Sequence, residues 1–450
     1  MFDFNRIHFI GIGGVSMSAL AMLTSEAGVW VSGSDRVDSE TIKRLKDSGI
    51  DAYVGSNNSV VSGCDLVVYT AAVGSEDTEL KFARANKIRC MERKAYLSYL
   101  SKTCKSVIAV AGSHGKTSVS AMICYIFDKM TLPFKGHVGG IIKSVGTNYI
   151  DTGNDFFVTE ACEYGRSFLS LEPDIGVILN CDYDHPDTYP TKESMYEAFV
   201  KFAEQSKIVV IGEEAFDTLN LRGVDRDKVY TFGFGEEAYF RAVNIKNVGG
   251  KFTFDALCEG NRIGSFTLNI YGKHNVLNAL SVIAVCHLNW LDMTEVSQCI
   301  SHFDGVDRRF TDCGNTPSGA RVIVDYAHHP KEISATIDTL RLMTKGRIIT
   351  VFEPHTYSRT KALLSEFADS FYWVDDLIIL PTYGARESKE EGIGGDGLAK
   401  YINKIGEGAL YLPDYESARD YIQRNATARD VVIVLGAGSV NKLGAMLTKK

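Results

Sequence analysis

Ala109-Val110-Ala111-Gly112-Ser113-His114-Gly115-Lys116-Thr117-Ser118 is the stretch whose reading decides the fold. The β-branched run Ser106-Val107-Ile108 before it reads as a buried strand, and Val119, Met122, Ile123, Ile126 and Phe127 after it recur at helical spacing. Strand, glycine loop, Lys-Thr and helix form the layout of a phosphate cradle. Loop amides and the helix N-terminus supply fixed dipoles, Lys116 a mobile charge, and Thr117 a hydroxyl for Mg²⁺. The usual loop has a glycine five residues before its Gly-Lys pair; here Val110 stands there, and Gly112 is the first glycine. A glycine-bearing βα turn is common in any α/β protein, and the Lys116-Thr117 pair is what turns the reading towards nucleotide binding.

A chain of 450 residues suggests about three domains, and 45% hydrophobic with 23% charged residues is ordinary for globular protein. The formal charge of −8 argues against a broad nucleic-acid-binding surface but leaves room for local basic pockets that take anionic small molecules. No C-x-x-C pair occurs among the ten cysteines, so neither a metal knuckle nor a disulfide framework is expected. With no secretory leader pattern and no apolar run of bilayer length, the expected compartment is a reducing cytoplasm.

Upstream, Ile7-His8-Phe9-Ile10 reads as a strand feeding Gly11-Ile12-Gly13-Gly14-Val15-Ser16 and an apolar helix from about Met17 to Ala27. A second strand, Val29-Trp30-Val31, ends at Ser32-Gly33-Ser34-Asp35, which puts Asp35 where a dinucleotide site places its ribose acid. Ser16 replaces the third glycine of that fingerprint. A nicotinamide cofactor, another phosphate-bearing ligand and simple packing glycines all remain open from these residues. Asp65–Tyr69 is a further strand with Thr70 at its end, and the polar stretch Ser98–Lys105 marks a boundary.

Downstream, Gly136-His137-Val138-Gly139-Gly140 reads as a flexible loop. Strands at Phe156–Thr159 and Ile175–Leu179 deliver Glu160-Ala161-Cys162-Glu163 and Asn180-Cys181-Asp182-Tyr183-Asp184-His185. Acids and a histidine there suit a metal shared with phosphates, or serve as helix caps and solvated loop residues. His274, Asn275 and Asn278 share one helix face, available to a purine edge or to protein partners. Cys313–Gly319 reads as a turn-rich second boundary. Beyond it, four strands end in Asp325-Tyr326-Ala327-His328-His329, Glu353-Pro354-His355, Tyr383-Gly384-Ala385-Arg386 and Gly436-Ala437-Gly438, which suggests one cleft along a parallel sheet edge. His328 and His329 lack further ligands at zinc spacing.

Taken in order, Gly11–Gly14, Gly112–Thr117, Glu160–Glu163, Asp184-His185-Pro186-Asp187, His274–Asn278, Arg308-Arg309-Phe310 and Asp325–Pro330 resemble the Mur ligases of bacterial cell-wall synthesis. The resemblance covers essentially the whole chain. It implies an α/β protein of three domains: a Rossmann-like UDP-sugar domain over 1–103, a central P-loop ATPase-type domain over 104–312, and a Rossmann-like C-terminal domain over 313–450. Tyr326–Pro330 and Pro354–Thr360 point within the family to attachment of L-alanine to UDP-N-acetylmuramate, with ATP and Mg²⁺, as a step of peptidoglycan synthesis that serves cell shape and division.

By the same resemblance, Gly112, Ser113, His114, Gly115 and Ser118 would cradle ATP, and Lys116 would hold its β- and γ-phosphates. Thr117 and Glu160 would hold one Mg²⁺ and His185 a second; His274, Asn275 and Asn278 would contact adenine, Asp325 the ribose, and Arg309 the phosphates. Gly11, Gly13, Gly14, Val15, Ser16, Ser34, Asp35 and Thr70 would hold the UDP part, and Tyr326, His328, His355 and Arg359 would shape the alanine pocket, Arg359 pairing its carboxylate. Small-molecule substrates are the only partners implied. Two departures stand out. Lys201 is one residue out of register with the lysine that several family members carbamylate, and Thr356 stands where close relatives often carry arginine.

Overall fold

The computed structural model describes residues 3–221, 223–385, 387–388, 392–406 and 408–448. Arg386, named in the third strand-end cluster, lies outside them. The first sheet contains β1 (Arg6–Ile10), β2 (Trp30–Asp35), β3 (Asp51–Val54), β4 (Leu66–Tyr69) and β5 (Arg89–Glu92). Its order is β3-β2-β1-β4-β5 with every pairing parallel. Chain direction across the sheet therefore reverses between β1 and β4, and the crevice at that switch point opens beside Gly11 and Thr70.

The second sheet contains β6 (Ser106–Ala111), β7 (Phe134–His137), β8 (Tyr149–Asp151), β9 (Phe156–Glu160), β10 (Ile175–Ile178), β11 (Ile208–Gly212), β12 (Val229–Gly233), β13 (Phe240–Val248), β14 (Lys251–Cys258) and β15 (Asn261–Tyr271). Its order is β15-β14-β13-β12-β11-β10-β6-β9-β7-β8, so β6 runs between β9 and β10 and points its end into the middle of the sheet edge. The antiparallel meander β13–β15 is an addition that the motifs give no hint of. Its strands alternate, with Phe252, Phe254 and Ala256 of β14 buried and their neighbours partly exposed.

The third sheet contains β16 (Thr311–Asn315), β17 (Arg321–Asp325), β18 (Ile348–Phe352), β19 (Asp376–Ile379), β20 (Leu410–Tyr411) and β21 (Val431–Leu435), in the order β16-β17-β21-β18-β19-β20. All pairings are parallel except that of β16 with β17. The sheet begins at Thr311, and Cys313-Gly314-Asn315, read as a turn, lie in β16 because pairing with β17 outweighs local turn preference. Ser98–Ser101, read as part of a polar boundary, are the last turn of the helix Arg93–Ser101, which packs Leu97 and Leu100 inward.

The helix after β6, Lys116–Lys129, is buried around its whole circumference from Val119 to Phe127 because the central sheet and the helices His274–Leu288 and Met293–His302 enclose it. That packing explains Gly136. The residue sits in β7, not in a loop, and a Cβ there would lie 2.8 Å from Cys124 Sγ on the helix.

Candidate active site

Gly115 caps the helix Lys116–Lys129 in the left-handed region at φ 84°, and a Cβ at that position would lie 2.6 Å from Asn278 Oδ1. The loop is braced from the segment that follows β10: His114 N donates to Asn180 Oδ1 (2.9 Å), Asn180 Nδ2 returns a bond to His114 O (3.1 Å), and Ser113 Oγ donates to Asp182 O (2.5 Å). Lys116 folds back over the loop. Its Nζ donates to Gly112 O and meets both oxygens of Glu163, at 3.0 and 2.9 Å. Burial works against the Lys116 charge, but Glu163 outweighs it and pushes the ammonium above its ordinary range. Burial likewise opposes the Glu163 carboxylate, which Lys116 and His185 hold down at about 2.

Thr117 is buried at the start of the helix, and Gly139 N donates to Glu160 Oε1 (2.6 Å). His185 has φ 55°, rare for a side chain with a Cβ, and turns Nε2 to Glu163 (3.3 Å) and Asp184 (3.7 Å). Asp184 in turn reaches across to the C-terminal domain. Its carboxylate accepts from Arg359 Nε (2.7 Å) and Nη2 (3.2 Å), with both side chains 3% exposed. Arg359 Nη1 faces His355 Nδ1 (3.0 Å). Arg359 sits on the short helix Tyr357–Ala362, and its N-cap, Thr356, takes φ 67°, a conformation β-branched residues avoid, so backbone strain accompanies the placement of Arg359.

A cavity of about 490 Å³ lies on one side of the P-loop, lined by His114, Ser118, His274, Asn275, Asn278 and Arg309 together with Asp325 and the tilted ring pair Tyr271 and Phe310, whose centroids are 5.2 Å apart. Asn278 Nδ2 donates to Asn275 Oδ1 (2.8 Å) and Asn275 Nδ2 to Tyr271 O (2.6 Å), so part of the amide capacity expected for adenine is used within the protein. Asp325 accepts from Phe310 N and Ala327 N, and burial carries its carboxyl up to about 6. Arg309 meets Glu332 (3.4 Å), which also pairs with His328 Nδ1 (3.3 Å) and faces His114 Nδ1 (3.7 Å).

A second cavity, of about 840 Å³, is walled by all three domains: Val15 from the first, Lys116, Thr117, Glu160 and His185 from the second, and Tyr326, His328, His355 and Arg359 from the third. His114, Gly115, Arg309 and Glu332 line both cavities. The first glycine loop sits at the far end of this arrangement. Gly11 N bonds Ser34 O, Gly14 N bonds Gly11 O, Gly13 N donates to Asp35 Oδ2 (2.9 Å), and the Thr70 methyl packs on Gly11. Ser34 Oγ is spent on buried Glu79, and Ser16 Oγ meets His137 of the central domain (2.9 Å).

Glu332 and the pairings of Glu163 with Lys116 and of Asp184 with Arg359 are the parts of this site that sequence reasoning missed. Glu332 had a usable signal, since His329-Pro330-Lys331-Glu332 opens a helix with a reciprocal capping box. Glu163 follows Glu160 by three residues, but nothing local shows that it folds back onto Lys116. Lys201, the residue out of register for a carbamate, is exposed on the helix Lys192–Gln205.

Three family comparisons tile the chain. The Mur ligase family catalytic domain matches residues 6–104, the Mur ligase middle domain residues 110–286, and the Mur ligase glutamate ligase domain residues 308–438. UDP-N-acetylmuramate–L-alanine ligase of Alkaliphilus metalliredigens is 40% identical over 446 residues, 98% of this chain and 96% of that protein. The ligase of the same name from Caldicellulosiruptor bescii is 36% identical over 450 residues, 99% of both. Among solved structures, UDP-N-acetylmuramate-alanine ligase of Thermotoga maritima superposes with a TM-score of 0.83 at 26% identity over 98% of each chain. A murein peptide ligase of Psychrobacter arcticus shares the fold, with a TM-score of 0.71 at 21% identity over 98% of each chain. With matching domains in order along its length and full-length relatives above one-third identity, the chain belongs to the Mur ligase family.

Proposed function

We propose that this protein is the ATP-dependent ligase that joins L-alanine to the lactyl carboxylate of UDP-N-acetylmuramate, a cytoplasmic step of peptidoglycan precursor synthesis. The observation that carries the reading is the larger cavity, whose wall draws on three domains and meets the smaller one at the P-loop. Three substrates need three binding surfaces converging on one point. Among the described residues, no helix is long and apolar enough to cross a membrane.

In the reaction the lactyl carboxylate attacks the γ-phosphorus and ADP leaves. The alanine nitrogen then attacks the acyl carbon and inorganic phosphate leaves with one former carboxylate oxygen. Both steps crowd anions together, so the protein's task is positioning and charge neutralisation. Lys116, His114 and Arg309 are cations around the P-loop whose present partners, Glu163, Asp182 and Glu332, are themselves carboxylates. Phosphate oxygens of ATP take over these contacts. Burial opposes protonation of His114, but Asp182 and Glu332 carry it up to about 9, so it stays cationic at neutral pH.

Mg²⁺ fits the oxygen donors here. Glu160 presents Oε2 beside the oxygen that Gly139 holds, and Thr117 lines the same wall. When bound, the ion neutralises phosphate charge. His185, turned from Glu163, would hold a second Mg²⁺. An alanine carboxylate pairing with Arg359 replaces one of its present acceptors, Asp184 or His355.

The test is product identification by mass spectrometry with UDP-N-acetylmuramate, ATP, Mg²⁺ and a panel of amino acids plus murein tripeptide. The expected product is the alanyl adduct with ADP and phosphate, the phosphate carrying ¹⁸O from labelled lactyl carboxylate. Faster ADP release with tripeptide than with L-alanine, or no amide at saturating substrates, overturns the reading.

A further inference from the structure

His137 lies on the short segment that touches both the sugar-nucleotide loop and the carboxylate Glu160. It is 3% exposed, at the end of β7. Its Nε2 reaches Ser16 Oγ across the domain junction (2.9 Å), and its Nδ1 reaches Thr159 Oγ1 on β9 (2.9 Å). Arg93 Nη1 donates to the same Ser16 Oγ (3.2 Å), and Thr159 Oγ1 donates to Glu160 O (3.1 Å). Two residues further on, Gly139 N holds the Glu160 carboxylate itself. A second contact runs beside the first: Asn148 Nδ2 donates to Val15 O (2.8 Å), while Val138 N bonds Asn148 O.

The polarity of this line is fixed. Thr159 gives its only hydroxyl proton to Glu160 O, so it accepts from His137 Nδ1–H. Nε2 is then the acceptor, and Ser16 donates to it while accepting from Arg93. Burial favours this neutral imidazole, holding His137 at about 4. A sugar nucleotide seated against the start of the helix Val15–Glu26 immobilises Ser16 and, through its bond to His137, the segment next to Glu160.

We propose that His137 is a positioning residue that couples occupancy of the first glycine loop to the placement of Glu160, so that sugar nucleotide and Mg²⁺-nucleotide bind cooperatively. The inference rests on the ligase reading above. Coupling of this kind is reciprocal and is typically about 5–150-fold between two sites.

The experiment is isothermal titration of Mg²⁺-ADP with and without saturating UDP-N-acetylmuramate, on wild type, His137→Leu and His137→Gln. Leu preserves apolar packing without the polar line; Gln offers one acceptor and one donor and restores it. Wild type is expected to bind Mg²⁺-ADP at least about fivefold tighter with the sugar nucleotide present. His137→Leu should lose most of that ratio while its affinity for Mg²⁺-ADP alone changes less than about twofold, and His137→Gln should recover it. If His137→Leu keeps the wild-type ratio, or weakens Mg²⁺-ADP equally with and without the sugar nucleotide, the inference falls and the function stands. If wild type binds no UDP-N-acetylmuramate, the function reading falls and takes the inference with it. Should the leucine variant fail to fold, His137→Gln with Ser16→Ala decides the matter: the double variant must lose the ratio that His137→Gln alone retains.

Discussion

The two glycine loops of this protein hold equivalent places, each at the carboxyl end of a central parallel strand, yet they are wired in opposite ways. The loop after β1 is organised by neutral and acidic groups. Gly13 N is held by Asp35, Gly11 N by the Ser34 carbonyl, and Arg93 brings a cation, through Ser16. The loop after β6 carries two cations, Lys116 and His114, each already engaged by protein carboxylates. Glycines in both allow close approach of a ligand to backbone amides, but it is the charge around them that sets what can bind. A nucleotide triphosphate at the second loop exchanges one set of anions for another. On the proposed function, a sugar nucleotide at the first would meet a helix N-terminus with a fixed hydrogen-bond frame.

Lys116→Ala tests that contrast most severely. Removing the cation that faces developing phosphate charge should lower kcat on the order of 10²–10³-fold. Affinity for UDP-N-acetylmuramate, measured by titration without ATP, should stay within about twofold, because the first loop is built from other residues. A matching loss of sugar-nucleotide binding would show that the loops do not divide the substrates between them.

Asp35→Ala addresses the other loop. The carboxylate fixes Gly13 N, and losing a hydrogen bond to a charged group costs about 1.5 kcal/mol, roughly tenfold in affinity. The Kd for UDP-N-acetylmuramate should rise by about that factor, with Mg²⁺-ADP binding in the absence of sugar nucleotide nearly unchanged. An unchanged sugar-nucleotide Kd would remove Asp35 from the binding frame.

Most of the fold was legible because it rests on local signals. β-branched runs followed by glycines gave the parallel strands and their ends, and the strand ends gave the residues that line the two cavities. What stayed hidden depends on distance in sequence. Glu163 reaches back to Lys116, Arg359 crosses to Asp184, and Glu332 gathers Arg309, His114 and His328. Such partners are brought together by chain crossings that no local pattern encodes. Gly136 shows the converse error: a glycine that suggests a loop stands in β7 because a helix packs against it. The meander β13–β15 was missed for a third reason, since it carries no motif and contributes to the site chiefly through Tyr271 at its end.

The smallest expected effect concerns His114, where the second loop meets the C-terminal domain. Its imidazolium lies between Asp182 (3.3 Å) and Glu332 (3.7 Å), and its ring is 4.5 Å from that of His329. Both acids keep other cations, Lys331 and Arg309, so replacing His114 leaves neither carboxylate unpaired. Folding raises the pKa of His114 from 6.5 to about 9 despite burial, through these two carboxylates. A folded-state pKa above the unfolded one stabilises fully below 6.5, progressively less as pH rises, and not at all above about 9. The difference in Tm between wild type and His114→Gln should therefore be largest near pH 6 and close as pH rises through about 9. A difference that holds constant up to about pH 10 would mean that His114 acts through shape and hydrogen bonding instead of charge, and the contrast between the loops would then rest on Lys116 alone.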